Sequence, residues 1–146
     1  MLVTLPKVTL VLAGLCALLN LWLSLRVGQV RTSEKVSIGD GGNERVVRRM
    51  RAHANFAENA PLVLILVLAI ELSVGSSTWL WVAAGLFVLA RLGHGLGMDG
   101  WSLGRGAGTG LTFALELALA LWAIALPFTA GRVHDVPTID ATVPRG

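Results

Sequence analysis

The sequence predicts an all-α integral membrane protein that crosses the bilayer four times as a helical bundle. Three observations support this fold class. The chain of 146 residues is 54% hydrophobic and only 14% charged, whereas soluble domains carry about 25% charged residues. It contains four apolar segments, each long enough to cross a hydrocarbon core that needs roughly 20 helical residues. Its length fits one domain, expected over residues 1–130.

The four apolar segments predict spans at about residues 8–25, 55–74, 78–97 and 106–130. The first span is an uncharged run after Lys7, so a secretory signal peptide is the alternative interpretation. The run is long for a signal peptide, and no small-x-small cleavage site follows it, which favours a span. Cys16 lies within this run and is expected to be a buried small hydrophobe. The tail, residues 131–146, has no apolar periodicity and is expected to be disordered.

The polar loop between the first two spans, residues 26–54, sets the predicted orientation. Its Asn43 is suited to cap a helix that begins in water, with Glu44 in the first turn. The second turn, at residues 75–77, has no basic residue, whereas the first loop holds seven: Arg26, Arg31, Lys35, Arg45, Arg48, Arg49 and Arg51. Basic loops stay cytoplasmic, so both termini are expected on the non-cytoplasmic side. Because the basic excess is confined to this loop, no nucleic-acid partner is expected.

Polar residues within the spans form a pattern rather than a scatter. Such residues are costly in a membrane and usually functional. Arg51, Asn55 and Glu58 are spaced i, i+4, i+7 and therefore share one face of the second helix. Arg91 and His94 are spaced i, i+3 near the end of the third helix, and Arg105 opens the fourth helix at the same level. The sequence therefore predicts a basic pocket, with one carboxylate and one amide, at the cytoplasmic ends of helices two to four.

Each of these polar residues also has a structural interpretation. The arginines of the second helix would enforce topology, Glu58 and Arg91 would form an interhelical ion pair, and His94 would be a satisfied interfacial histidine. Glu71 and Glu116 lie deeper and are expected to pair structurally or to line a subunit interface. Tryptophans near span ends are expected to anchor the bilayer interfaces: Trp22, Trp79, Trp81, Trp101 and Trp122.

The charges of the predicted pocket limit its ligand. Arginine forks suit carboxylates, so a small metabolite with two carboxylates fits, and the bilayer would supply an apolar second substrate. A cationic site also favours the thiolate form of a thiol. These arguments favour a small anionic metabolite and are compatible with a thiol, but they do not name the molecule.

Several segments resemble the MAPEG family, the membrane-associated proteins of eicosanoid and glutathione metabolism. The most specific is the Arg-Ala-x-x-Asn-x-x-Glu element from Arg51 to Glu58. Supporting segments are Gly-Gln-Val-Arg at residues 28–31, Arg-Leu-Gly-His at residues 91–94, and Arg105. The Asp-Gly-Gly-Asn turn at residues 40–43 resembles small bacterial members, which implies a bacterial inner membrane. The resemblance covers roughly residues 8–127.

The resemblance implies a four-helix protomer assembled as a homotrimer, with glutathione bound between neighbouring protomers. It assigns thiolate stabilisation to Arg105 and glutathione binding to six residues: Arg31, Arg51, Asn55, Glu58, Arg91 and His94. The chain departs from the family pattern at Ala54, often arginine, and at Met98, commonly tyrosine. These departures argue against an eicosanoid-type isomerase.

Two function hypotheses follow. The first is a glutathione-dependent membrane enzyme, a transferase or peroxidase acting on lipophilic electrophiles or hydroperoxides. The alternative is a non-catalytic small-molecule-binding or structural membrane protein of the same fold. A small transporter has less support, because the pattern shows no broken helices. The expected partners are membrane lipid, a lipophilic substrate and further copies of the chain, and no metal site is expected.

Overall fold

The computed structural model describes residues 5–129 and contains four helices over that range. They are α1 (Lys7–Ser33), α2 (Glu44–Val74), α3 (Thr78–Gly97) and α4 (Ser102–Thr129). All four are long and apolar enough to cross a membrane, and residues 5–129 contain no strand. The predicted four-helix membrane bundle is therefore confirmed, and its outward apolar side chains face lipid. The predicted disordered tail lies outside the described residues.

The two ends of the bundle differ in their loops. At one end α1 turns into α2 through residues 34–43, and α3 turns into α4 through residues 98–101; we call this the first-loop end. At the other, the second-loop end, α1 begins, α4 ends, and α2 turns into α3 at residues 75–77. Every residue of the predicted pocket lies toward the first-loop end.

The core is formed mainly by α1, α2 and α3. Helix α1 packs chiefly on α2, while α4 packs chiefly on α3 and touches α2. Buried apolar side chains recur at helical spacing on the inner faces of α1 to α3, such as Leu12, Cys16 and Leu19 on α1. Helix α4 buries only four residues along its length: Gly104, Gly108, Thr112 and Leu119. The predicted burial of Cys16 is confirmed.

Glycines bring α3 and α4 into close contact. Gly104, Gly108 and Thr112 recur every four residues on the buried face of α4, which is the small-xxx-small pattern of tightly packed membrane helices. A Cβ atom at Gly108 would lie 2.5 Å from the carbonyl oxygen of Ala90 and 2.7 Å from the amide nitrogen of His94. The backbone of α4 is therefore held directly against the part of α3 that carries Arg91 and His94.

Asn43 starts α2 well before the membrane span. Its side-chain oxygen accepts hydrogen bonds from the amides of Arg45 (2.9 Å) and Val46 (3.4 Å). Its side-chain amide donates to Glu34 at 2.8 Å, which ties the helix start to the end of α1. The predicted cap at Asn43 is confirmed. Because α2 then continues without interruption to Val74, the predicted stripe from Arg51 to Glu58 lies on one rigid helix.

Arg26 is part of α1 rather than a loop residue. The sequence pattern ended the first span at residue 25, but α1 continues to Ser33. Arg26 is only 9% exposed, donates to the carbonyl of Gly95 at 2.8 Å, and forms an ion pair with Asp99. Its guanidinium also lies 4.6 Å from the centre of the Trp22 ring. These contacts satisfy the buried charge, so Arg26 and Trp22 join α1 to the end of α3.

Candidate functional site

Arg91 is the centre of a buried polar cluster between α2, α3 and α4. It is 2% exposed, and its Nη1 donates to Asn55 Oδ1 on α2 at 2.7 Å. Its Nη2 donates to the carbonyl of Gly108 on α4 at 3.3 Å. The structural interpretation that paired Arg91 with Glu58 is wrong, because the partner on α2 is Asn55. Arg91 thus links the three helices that carry most of the predicted pocket.

His94 lies one helical turn further along α3 and faces α4. Its Nδ1 atom is 3.0 Å from Thr109 Oγ1 and 3.4 Å from the carbonyl oxygen of Arg105. Two nitrogens of the cluster, Nε of Arg91 and Nε2 of His94, are buried without a hydrogen-bond partner in the structure. Buried polar atoms without partners are rare in folded proteins, so these two nitrogens are hydrogen-bonding groups that the described part of the chain leaves unused.

Three charged residues of the predicted site are exposed on the outside of the bundle. Arg51 and Glu58 occupy the outer face of α2, and Arg105 lies in the first turn of α4. Among residues 5–129 none of the three forms an ion pair. Their charges are therefore available to a ligand or to another chain.

Arg31 stands apart from the other predicted residues. Its Nη2 atom is 3.3 Å from the sulfur of Met50, and its Nη1 atom is 3.5 Å from the carbonyl of Ser37. Met50 and Asn55 are five positions apart on α2, which corresponds to a rotation of about 140° around the helix. Arg31 therefore lies on a different side of α2 from Arg91, and one chain does not bring the whole predicted set together.

A charged cavity that the sequence analysis did not predict opens at the first-loop end. It has a volume of about 440 Å³ and is lined by charged residues and one methionine: Glu44, Arg45, Arg48, Arg49, Met98 and Asp99. Most of its charges are paired within the chain. Arg49 contacts both carboxylate oxygens of Asp99 at 3.2 and 3.3 Å, and Arg48 pairs with Glu44 at 2.5 Å. Arg49 therefore links α2 to the loop of residues 98–101, in addition to any effect on orientation, whereas the pair of Arg48 and Glu44 lies within α2.

Glu71 belongs to the second-loop end and has a structural role, as expected. It is 3% exposed and accepts from the backbone amides of Val8 and Thr9, each at 2.8 Å. The hydroxyls of Thr9 (2.7 Å) and Ser76 (2.5 Å) also donate to it. Helix α1 has no side-chain cap from its own N-cap residue Pro6, so Glu71 supplies the missing acceptor from another helix.

The residues at the first-loop end carry groups that suit a small charged molecule. Guanidinium groups suit carboxylates, and an exposed carboxylate suits an ammonium group. Within residues 5–129, no group of three or more histidine, cysteine or acidic side chains could hold a metal ion. The side chains there offer charge pairing, amide hydrogen bonding and one imidazole, that of His94.

Comparison with known proteins bears on the family of this chain. Neither the curated proteins nor the solved structures give a match. A model of the MAPEG family matches residues 9–125, which include most of each of the four helices and every residue of the predicted site. This match covers most of the chain and agrees with the resemblance seen in the residues from Arg51 to Glu58. The chain therefore belongs to the MAPEG family of membrane proteins linked to eicosanoid and glutathione metabolism.

Proposed function

We propose that this protein is a glutathione-dependent membrane enzyme, a transferase or peroxidase that acts on lipophilic electrophiles or hydroperoxides. The proposal rests on the contrast between bonded and exposed polar residues of the predicted site. Arg91 and Asn55 are fixed to each other at 2.7 Å, while Arg51, Glu58 and Arg105 remain exposed. A rigid polar base surrounded by unpaired charges of both signs suits a ligand with carboxylates and an ammonium group.

The proposed roles follow from the charge of each side chain. Arg51 binds a carboxylate of glutathione, Glu58 binds its ammonium group, and Asn55 and Arg91 form the polar base beneath it. His94 completes the site. Arg105 stabilises the thiolate by its positive charge, because a cation near a thiol favours the ionised form.

A homotrimer would complete this site with Arg31 of a neighbouring copy. The support is geometric, since Arg31 lies on a different side of α2 from Arg91 within one chain. Helix α4 also buries few residues, which leaves surface for a neighbour or for lipid. Native mass spectrometry of the detergent-solubilised protein should show three chains per particle. A monomer that binds glutathione fully would contradict this part of the proposal.

The lipophilic substrate would reach the site from the bilayer, and the first-loop end would face the cytoplasm of a bacterium. Seven basic residues in or beside the first loop support this orientation in the inner membrane, with both termini on the opposite side. Single cysteines at Ser37 and Thr142 should label from opposite sides of a sealed membrane. The native Cys16 is buried, so its background labelling should be low. Labelling of both positions from one side would contradict the proposed topology.

Turnover tests the catalytic part of the proposal. The purified protein in detergent should conjugate glutathione to a chlorinated nitrobenzene. Arg105→Ala should lower kcat much more than it weakens glutathione binding, because Arg105 acts on the thiolate. Arg45→Ala is the matched control, since Arg45 is an exposed arginine that pairs with Glu34. Equal kcat values in the parent and in Arg105→Ala would remove Arg105 from the site.

The alternative is a protein of the same family that binds a small molecule without catalysis. Specific features favour it: the chain contains no tyrosine, and Met98 and Ala54 stand where the family commonly has tyrosine and arginine. Saturable binding of glutathione without turnover of any electrophile or hydroperoxide would establish this alternative. Measurable turnover would exclude it.

A further inference from the structure

The hydroxyl of Thr109 fixes the position of a proton on His94. Thr109 Oγ1 lies 3.0 Å from the carbonyl oxygen of Arg105, four residues earlier on α4. A carbonyl can only accept, so the single hydroxyl proton points to Arg105, which is the usual bond of a threonine within a helix. The hydroxyl oxygen must then accept from His94 Nδ1 at 3.0 Å.

A second contact supports the same protonation state. His94 Nδ1 also lies 3.4 Å from the Arg105 carbonyl oxygen. An unprotonated Nδ1 would place two lone pairs against each other, whereas Nδ1–H satisfies both oxygens. In the neutral imidazole the other nitrogen, Nε2, then carries a free lone pair.

This assignment makes the two unpartnered nitrogens of the cluster complementary. Nε of Arg91 is a donor, and Nε2 of His94 becomes an acceptor. Both atoms are buried and have no partner among residues 5–129, and their residues are neighbours on one face of α3 at spacing i, i+3. A group that both accepts and donates hydrogen bonds suits this pair of nitrogens, and a thiol is such a group.

We propose that His94 Nε2 is the acceptor for the proton of the bound thiol, and that Thr109 is the residue that positions it. This inference rests on the proposed glutathione-dependent function. The S–H bond breaks, the proton moves to Nε2, and the thiolate forms a C–S bond to the electrophile as the leaving group departs with its electron pair. The imidazolium then returns its proton to solvent. Because Nε2 has no exposed surface in the unliganded chain, ligand binding must displace the atoms that cover it.

Nitrogen-15 NMR of histidine-labelled protein without ligand tests the protonation state directly. His94 should show a protonated Nδ1 and an unprotonated Nε2, and the signals can be assigned by comparison with His94→Gln. In Thr109→Val, which removes the acceptor, this tautomer should lose its preference. A protonated Nε2 in the neutral parent imidazole would overturn the inference while leaving the proposed function intact.

Kinetics test the role in proton transfer. A general base typically accelerates a reaction by about 10²–10⁴-fold, and a base held in the wrong orientation provides only part of this acceleration. Thr109→Val should therefore lower kcat at least about tenfold, with little change in the KM for glutathione. Thr109→Ser should restore kcat, because it keeps the hydroxyl. Thr129→Val is the control, since Thr129 makes the same i−4 bond, to Ala125, at the second-loop end. An unchanged kcat in Thr109→Val would overturn the inference, and no turnover in the parent would overturn the proposed function with it.

Discussion

Two carboxylates on α2, Glu71 and Glu58, show how the two ends of the bundle differ. Glu71 at the second-loop end is buried and accepts four hydrogen bonds from α1 and from Ser76. Glu58, toward the first-loop end, is exposed and forms no ion pair with any residue in the described part of the chain. Both are charged groups on a membrane helix, but only Glu71 has its acceptor capacity used within the chain.

The difference separates structural charge from functional charge. A buried carboxylate with complete hydrogen bonding stabilises the fold and has no capacity left for a ligand. An exposed carboxylate without an ion-pair partner contributes little to folding and remains free to bind. The second-loop end therefore holds the bundle together, whereas the first-loop end combines rigid support with charges left for a ligand.

Removing Glu71 should have the largest effect on stability. Glu71→Ala should lower the free energy of unfolding by about 3 kcal/mol, because it leaves the amides of Val8 and Thr9 without their charged acceptor. Thermal unfolding in detergent measures the effect. Glu58→Ala is the matched control and should stay within about 0.5 kcal/mol of the parent. Equal losses for both variants would remove the contrast between the two ends.

Disrupting the close contact of α3 and α4 should have the second largest effect on stability. A methyl group at Gly108 meets the Ala90 carbonyl at 2.5 Å, so Gly108→Ala should destabilise by about 2 kcal/mol through overpacking. Gly110 is the matched control on the same helix, because a Cβ atom there meets nothing within 4 Å. Gly110→Ala should be neutral or slightly stabilising, as alanine favours helix more than glycine does. A stable Gly108→Ala variant would show that α4 is not held against Arg91 and His94.

The ion pairs of Asp99 should have a smaller effect. Asp99→Ala removes the carboxylate that holds Arg26 of α1 and Arg49 of α2, but its side chain is 40% exposed. We expect a loss of about 1 kcal/mol, since partly exposed ion pairs are screened by water. A double-mutant cycle with Arg49→Ala isolates the pair. A coupling energy near zero would mean that Arg49 does not stabilise the loop of residues 98–101 through Asp99.

The surface pair of Arg48 and Glu44 should have the smallest effect. The two residues are spaced i, i+4, and their side chains are 42% and 76% exposed. Glu44→Ala should therefore change the free energy of unfolding by at most about 0.5 kcal/mol, and salt should remove even that difference. A larger, salt-independent loss would show that the charged cavity stabilises the fold more than its exposure indicates.

Local patterns in the sequence predicted the helices and much of the site. Long apolar runs predicted four spans, and Asn43 predicted the start of α2. The i, i+4, i+7 spacing of Arg51, Asn55 and Glu58 placed them on one face of the second helix, which requires only helical geometry. The sequence also brought Arg91 and Asn55 to the same level of the bundle, although it did not predict that they bond to each other.

Contacts between distant residues could not be predicted in this way. The partners of Glu71 on α1 lie 62 and 63 positions away in the sequence, and Asp99 lies 73 positions from Arg26. No helical period relates such residues, so their pairing depends on tertiary packing. The contact of Gly108 with α3 did have a local signal, because Gly104 and Gly108 form the small-xxx-small pattern. Thr109 had no such signal, since its importance depends on which atom of His94 it meets.

Glutathione binding by variants of the α2 stripe tests the central claim most directly. Arg51 and Glu58 are exposed, so Arg51→Ala and Glu58→Gln should fold normally and report on binding alone. Each should weaken binding tenfold to a hundredfold, since a charged hydrogen bond is worth roughly 1.5–3 kcal/mol. Glu58→Gln should also reduce the preference for glutathione over its N-acetylated form. Ala57→Ser, exposed on another face of α2, and Arg45→Ala should bind as the parent does. Isothermal titration calorimetry that gave one affinity for all of these proteins would contradict the assignment of the first-loop end as a glutathione site.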